Sequence, residues 1–381
     1  MSSPWQSALS RWLSAGLIDA STAERIRTWE AEHGERAGRS RIAMIAFGLG
    51  GLLLIAGVLL FVAAHWDDLS PNSRFLLVLA MIAVFHVGGA LAARSNPGLA
   101  STLHAVGTGA LGAGIYLAGQ IVNIAEHWPG ALMLWSIGAV IGLVLLRDWP
   151  HVLWGAVLVP AWMWGEWVEP LPIDDYWSWV TPAATGVFLL AFVYLMATFS
   201  ETAPLWRRAL SRLGAVALIP AAILLGIGHD VYTNITIHIP ASVSTAAMAV
   251  AWVVAIVLPL GLAYGLRRNQ AAFVLVALAW ALVVGRVDAS SDAGELALYA
   301  LFAVGAAGIV LWGLKDQQRL SVNVGVLGFA LAVAGFYFSS LFDKLGRSLG
   351  LIGIGVIFIG GGWLLERTRR RLLGHIERGA R

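Results

Sequence analysis

Cysteine is absent from the 381 residues, and charged residues make up only 12%. The first absence excludes disulfides, thiolate nucleophiles and cysteine-ligated metal sites. The second excludes a soluble globular surface, for which about a quarter of the residues would carry charge. Walker, nucleophile-elbow and HExxH motifs are also missing, so no phosphate loop, serine hydrolase or zinc protease is indicated. No Asp, Glu, Lys or Arg falls deep in a long apolar run, which weighs against coupling to ions through buried carboxylates. The basic residues form no patch of nucleic-acid character, so neither a nucleic-acid partner nor a cofactor is expected. The polar and mixed residues 1–41 do not read as a signal peptide.

Hydrophobic residues make up 59% of the sequence, and they come in runs. A bilayer core about 30 Å thick takes about 20 apolar helical residues. Runs of that kind fall at 42–64, 74–94, 99–123, 129–146, 149–166, 178–200, 209–229, 243–266, 271–287, 294–313, 320–342 and 347–366. The expected fold is all-α, a polytopic bundle of about twelve transmembrane helices over 42–366. A small cytoplasmic helical hairpin over 1–41 precedes it, and a basic tail over 367–381 follows. With the N-terminus inside, the inner segments hold 21 of the 25 basic residues and 10 of the 22 acids. That excess of Lys and Arg on one side sets direction. It places both termini in the cytoplasm.

In the hairpin, Trp5, Leu9, Trp12 and Leu13 recur at helical spacing and Gly16 ends the first helix. Ser21 and Glu24 read as a capping box for the second, with Ala23 and Ile26 on one face. Arg147-Asp148 reads as a tight turn between two spans. Pro160, Pro220 and Pro259 read as interruptions of their spans, a feature of transporter sites when the two halves match, which these positions do not.

Three groups of residues invite a functional reading. Span three carries Ser101, His104, Thr108, Gly112, Tyr116, Gln120 and Asn123 along about half its circumference. Such a stripe faces either a polar cavity or hydrogen-bonding neighbours. His86 in span two and His104 are intramembrane histidines, suited to a proton relay or a polar ligand contact. Spans one and three both run outward and end in His-Trp clusters: His65, Trp66, Asp67 and Asp68, then Glu126, His127 and Trp128. With Glu166, Glu169, Asp174, Asp175, His229, Asp230 and His238 these form an acidic outer rim. It offers ligand types suited to zinc or manganese, but scattered over separate loops, so no metal is expected. Trp162, Trp164, Trp167, Trp177 and Trp179 suit an interfacial aromatic belt.

Three stretches carry a family resemblance. They are "GLIDASTAERI", "GGLLLIAGVLLFVAAHWDDLSPNSRF" and "GALGAGIYLAGQIVNIAEHWPGALMLW". Over roughly residues 10–145 the chain resembles the bacterial membrane proteins grouped as domain of unknown function 2157. Val122 stands where an aromatic is expected after "GQI". The resemblance implies membrane placement and no activity.

The favoured role is non-enzymatic: a component that binds or passes a small or lipid-like ligand, or the integral subunit of an envelope assembly. Membrane lipids, and for the assembly another envelope membrane protein, are the partners to expect. One alternative is an envelope enzyme acting on a lipid-linked substrate through His65, Asp67, Asp68, Glu126 and His127. Another is a sensor signalling through the hairpin.

Overall fold

The computed structural model describes residues 4–29, isolated helical positions between 46 and 64, and residues 70–122, 127–169, 180–198, 203–235, 245–289 and 291–341. Among these every regular element is helical. In chain order they are α1 (Pro4–Ser14), α2 (20–29), α3 (Pro71–Ala92), α4 (Pro97–Val122), α5 (Trp128–Leu146) and α6 (Trp149–Val168). There follow α7 (Val180–Leu195), α8 (Leu205–Ile235), α9 (Thr245–Arg267), α10 (Ala271–Val284), α11 (Asp292–Lys315) and α12 (Arg319–Phe336). Six described stretches are long and apolar enough to cross a membrane: Pro71–Ala92, Trp128–Leu146, Leu205–Gly226, Met248–Arg267, Asp292–Lys315 and Arg319–Ser339. This is a membrane protein with multiple apolar helices. The first expected span meets only scattered described positions, and 347–366 lies outside the described residues.

Local chemistry sets the helix ends. Ser70 caps α3, its hydroxyl accepting from Ser73 N–H, with Pro71 in the first turn where no donor is missed. The Arg147-Asp148 turn forms as expected. Arg147 closes α5 in the left-handed region at φ 52°, and Asp148 caps α6. Ser291 caps α11, whose first turn carries Asp292 and Glu295 and whose last carries Lys315, matching the helix dipole at both ends.

Two expectations are corrected. The second N-terminal helix is capped by Asp19 and not by Ser21. The Asp19 carboxylate accepts from Thr22 N–H at 3.0 Å and from the Ser21 hydroxyl at 2.7 Å, while Glu24 turns forward to Arg27. The Thr22 side chain, the largest influence, and these two hydrogen bonds hold the Asp19 carboxyl down to about 2. Pro160, Pro220 and Pro259 do not break their helices. Each sits inside a continuous α6, α8 or α9.

The chain divides into two compact units, residues 1–125 and 126–381. In the first, α3 and α4 form an antiparallel pair: Val78 lies against Gly114, His86 against Gly107, and His104 against Gly89. In the second, α7 is the central helix and packs on α8, α9 and α10. Residues Phe188 to Ala197, from the middle of α7 into the turn beyond it, are all buried. The helices α11 and α12 pair with each other, as do α5 and α6. Small residues permit the closest approaches, as lipid-embedded helices require. Gly214 of α8 meets the α7 backbone at Ala191 and Leu195, and Gly325 of α12 meets Ala306 and Val310 of α11.

Candidate functional site

The intramembrane histidines meet. His86 Nδ1 and His104 Nδ1 are 3.1 Å apart, with ring centroids at 5.4 Å. Each helix carries the same four-residue pattern, histidine then glycine three positions on: His86 with Gly89, His104 with Gly107. Each ring lies over the other helix's glycine, where an added Cβ would come within 2.8 Å. Without side chains at Gly89 and Gly107 the rings approach closely enough to share a proton, one nitrogen donating and the other accepting. Thr108 is buried, and its hydroxyl donates to the His104 carbonyl at 3.1 Å. Further along the stripe Tyr116 is 64% exposed. The inner part of the stripe thus meets α3, while Tyr116 faces outward from it. The Gln120 side chain and Asn123 lie outside the described residues.

Of the outer clusters, His65, Trp66, Asp67, Asp68 and Glu126 lie outside the described residues. His127 precedes α5, with its Nε2 2.9 Å from Glu166 Oε2 and its Nδ1 3.6 Å from Glu169 Oε2. Trp162 Nε1 donates to the other Glu166 oxygen at 2.7 Å. Trp128 packs its ring against Gly165. These side chains are substantially exposed, and water-screened pairs of this kind add little stability. Among the described residues no three His, Asp or Glu are arranged to hold a metal ion.

Two features were not singled out from the sequence. The first is a polar network at one end of the second unit. Arg267 makes a two-pronged pair with Asp316, at 2.5 and 2.7 Å, and also donates to the Thr198 carbonyl at 3.2 Å. Gln270 donates to Asp316 at 2.6 Å and accepts from Trp312 Nε1 at 3.3 Å. Arg207 donates to the carbonyls of Ala197 and Leu266, and Gln318 to that of Thr198. Ser211 donates to the Leu195 carbonyl at 2.7 Å. These donors satisfy carbonyls at the C-terminal ends of α7 and α9 that have no partner within their own helices. The sequence signal was present, in Arg267 and Gln270 after one span and Asp316 and Gln318 after another, but charge counting treats each as a solvated loop residue.

The second is a groove of about 700 Å³ lined by α7, α8, α10, α11 and α12. Its walls are aromatic and aliphatic: Phe188, Phe192, Phe273, Trp280, Phe302 and Trp312 are prominent. The rings are seated on glycines of facing helices, Trp280 on Gly305, Phe302 on Gly226 and Tyr299 on Gly335. Trp280 Nε1 donates to the Leu301 carbonyl at 2.9 Å, and Trp312 is held by Gln270. With both indole donors satisfied, the groove presents an apolar surface, and among the described residues Lys315 is its one charged lining residue.

No curated protein and no solved structure matches the chain. Residues 10–152 match the family model described as "Predicted membrane protein (DUF2157)", the family that the motifs of this part of the chain resemble.

Proposed function

We propose that this protein is a non-enzymatic component of the bacterial inner membrane that binds a lipid-like ligand in the groove of its second unit. Twelve spans would place both termini in the cytoplasm, with residues 1–41 as a surface hairpin and 367–381 as a basic tail. The observation that carries the reading is the groove. Its volume of about 700 Å³ falls in the range of ligand pockets, roughly 300–1,000 Å³. Its lining is apolar, and helices of membrane-spanning length form much of its wall. A ligand suited to it is apolar over most of its length and reaches it from the bilayer. The span-three stripe, open to a cavity or a packing reading, places His104 against α3 and leaves Tyr116 exposed, so the groove is the stronger candidate.

Gly308 supplies the test. It lines the groove, and a Cβ added there meets no atom within 4 Å. Gly308→Trp should fill the groove without moving the helices. Lipid co-purifying with the protein from detergent should fall to background in this variant while its melting temperature stays within a few degrees. Unchanged lipid retention would reject the groove as the binding site. Reporter fusions at Ala31 and Gly379 should read cytoplasmic and one at Pro172 periplasmic, which checks the orientation separately.

A further inference from the structure

We infer that the groove takes a polyisoprenyl phosphate, a single apolar chain longer than one leaflet with an anionic head at Lys315. The inference rests on the lipid-binding reading above and names the class of lipid. Three observations support it.

The first is length. Along α11 the lining runs through Leu298, Phe302, Gly305, Ile309, Trp312 and Lys315, at helical spacing throughout. Seventeen residue steps at 1.5 Å make about 25 Å of groove. One leaflet supplies about half of a 30 Å hydrocarbon core. The acyl chains of an ordinary diacyl lipid would end near the middle of the groove and leave its far half to another molecule. One continuous chain reaches both ends.

The second is charge. Lys315 closes one end, its ammonium 5.4 Å from the centroid of the Phe273 ring. The neighbouring carboxylate, Asp316, is engaged by Arg267 and Gln270. Among the described residues no carboxylate pairs with Lys315, and its exposed ammonium, seated over the Phe273 ring, is within reach of an anionic ligand. An anionic head at the end of an apolar chain complements it, and a neutral head does not.

The third is rigidity. The aromatic walls are fixed by ring-on-glycine contacts and by two indole hydrogen bonds. The groove is therefore pre-formed and spends little binding energy on ordering itself. A chain threaded along it meets flat rings from α7, α10 and α11 in succession.

The test uses the full chain in nanodiscs of phosphatidylcholine, with native mass spectrometry of the released complex. Four probes are offered: a polyisoprenyl phosphate long enough to span the bilayer, the neutral polyprenol of the same length, phosphatidylglycerol, and phosphatidylcholine alone. One equivalent of the polyisoprenyl phosphate should be retained in preference to the other three. Lys315→Gln should lower its retention about fivefold, the worth of one lysine against an anionic head, and leave polyprenol unchanged. Gly308→Trp should remove both, with Gly308→Ala as the folded control. Equal retention of phosphatidylglycerol would overturn the length argument and the inference while leaving the lipid-binding reading in place. A Lys315→Gln variant that behaves as wild type would overturn the inference in the same way. If no lipid is retained, the reading itself falls. So it does if a disulfide forms between Gly308→Cys and a cysteine placed within residues 347–366 of this otherwise cysteine-free chain, since the groove would then hold the protein's own segment.

Discussion

The α3–α4 pair and the α7-centred bundle solve one problem in opposite ways. In the first unit α3 buries little beyond Val78 and Gly89, and a histidine pair joins it to α4 at mid-helix. In the second, α7 is buried on nearly all sides and carries no charge, and the polar groups gather beyond its C-terminal end. The difference shows what a lipid solvent demands. Apolar exposure costs nothing against acyl chains, so a helix such as α3 needs no cover. An unpartnered hydrogen-bonding group does cost, so polar side chains stand where helix touches helix or where a helix ends.

The largest effect should come from breaking the α7 cap. Arg267 and Asp316 are nearly buried, at 12% and 9% exposure, and removing either deprives the other of its opposite charge. Asp316→Ala should cost about 3–5 kcal/mol, read as a fall in thermal midpoint in detergent, and Arg267→Met/Asp316→Leu should recover much of it. A double variant no better than the single would mean that the carbonyl contacts of Arg267 outweigh its pair.

Next comes the glycine seat in the first unit. Gly89→Val would drive its Cβ into the His104 ring, with contacts of 2.8–2.9 Å before relaxation. Overpacking of this kind costs about 1–3 kcal/mol. A cysteine pair across α3 and α4, at Leu103 and Gly88, should lose crosslinking efficiency in parallel. Retained crosslinking would show that the helices can shift to make room.

The histidine pair itself should weigh less. His86→Phe should cost about 1 kcal/mol, within the range of interhelical hydrogen bonds in membranes. His86→Phe/His104→Phe should cost less than the sum of the singles, because the two share one interaction. Additive losses would mean that each ring is held chiefly by other neighbours.

The smallest effect lies outside the apolar helices, at Asp19. Its carboxyl is held at about 2, below the ordinary 3.8, by hydrogen bonds from Thr22 and Ser21. A depressed carboxyl stabilises the fold at pH values above 3.8, and that contribution is lost as the pH falls toward and through 2. A carboxyl-carbon titration by NMR should show the low midpoint, and Thr22→Val should raise it. Asp19→Asn should flatten the acid dependence of the N-terminal helix between pH 4 and 2.

Composition and apolar run length were enough to read the class of this protein. Its sparse charge and long apolar runs admit only a helical membrane chain, because backbone groups in lipid must bond within their own segment. Ten of the twelve expected spans coincide with continuous helices, and the Arg147-Asp148 turn was legible because one left-handed residue followed by a capping Asp has a local signature. Single-helix properties were readable, and relations between helices were not. Nothing in the spacing of His86 and His104 says that their rings meet, since that depends on how α3 and α4 align when their glycines interlock. Arg267 and Asp316 read as loop charges until the fold brought α9 and α11 to one end of α7. The groove was the least legible feature of all. Its residues come from five helices, and an apolar side chain facing lipid looks the same in sequence as one facing a cavity. Only the packing of helices against one another distinguishes the two.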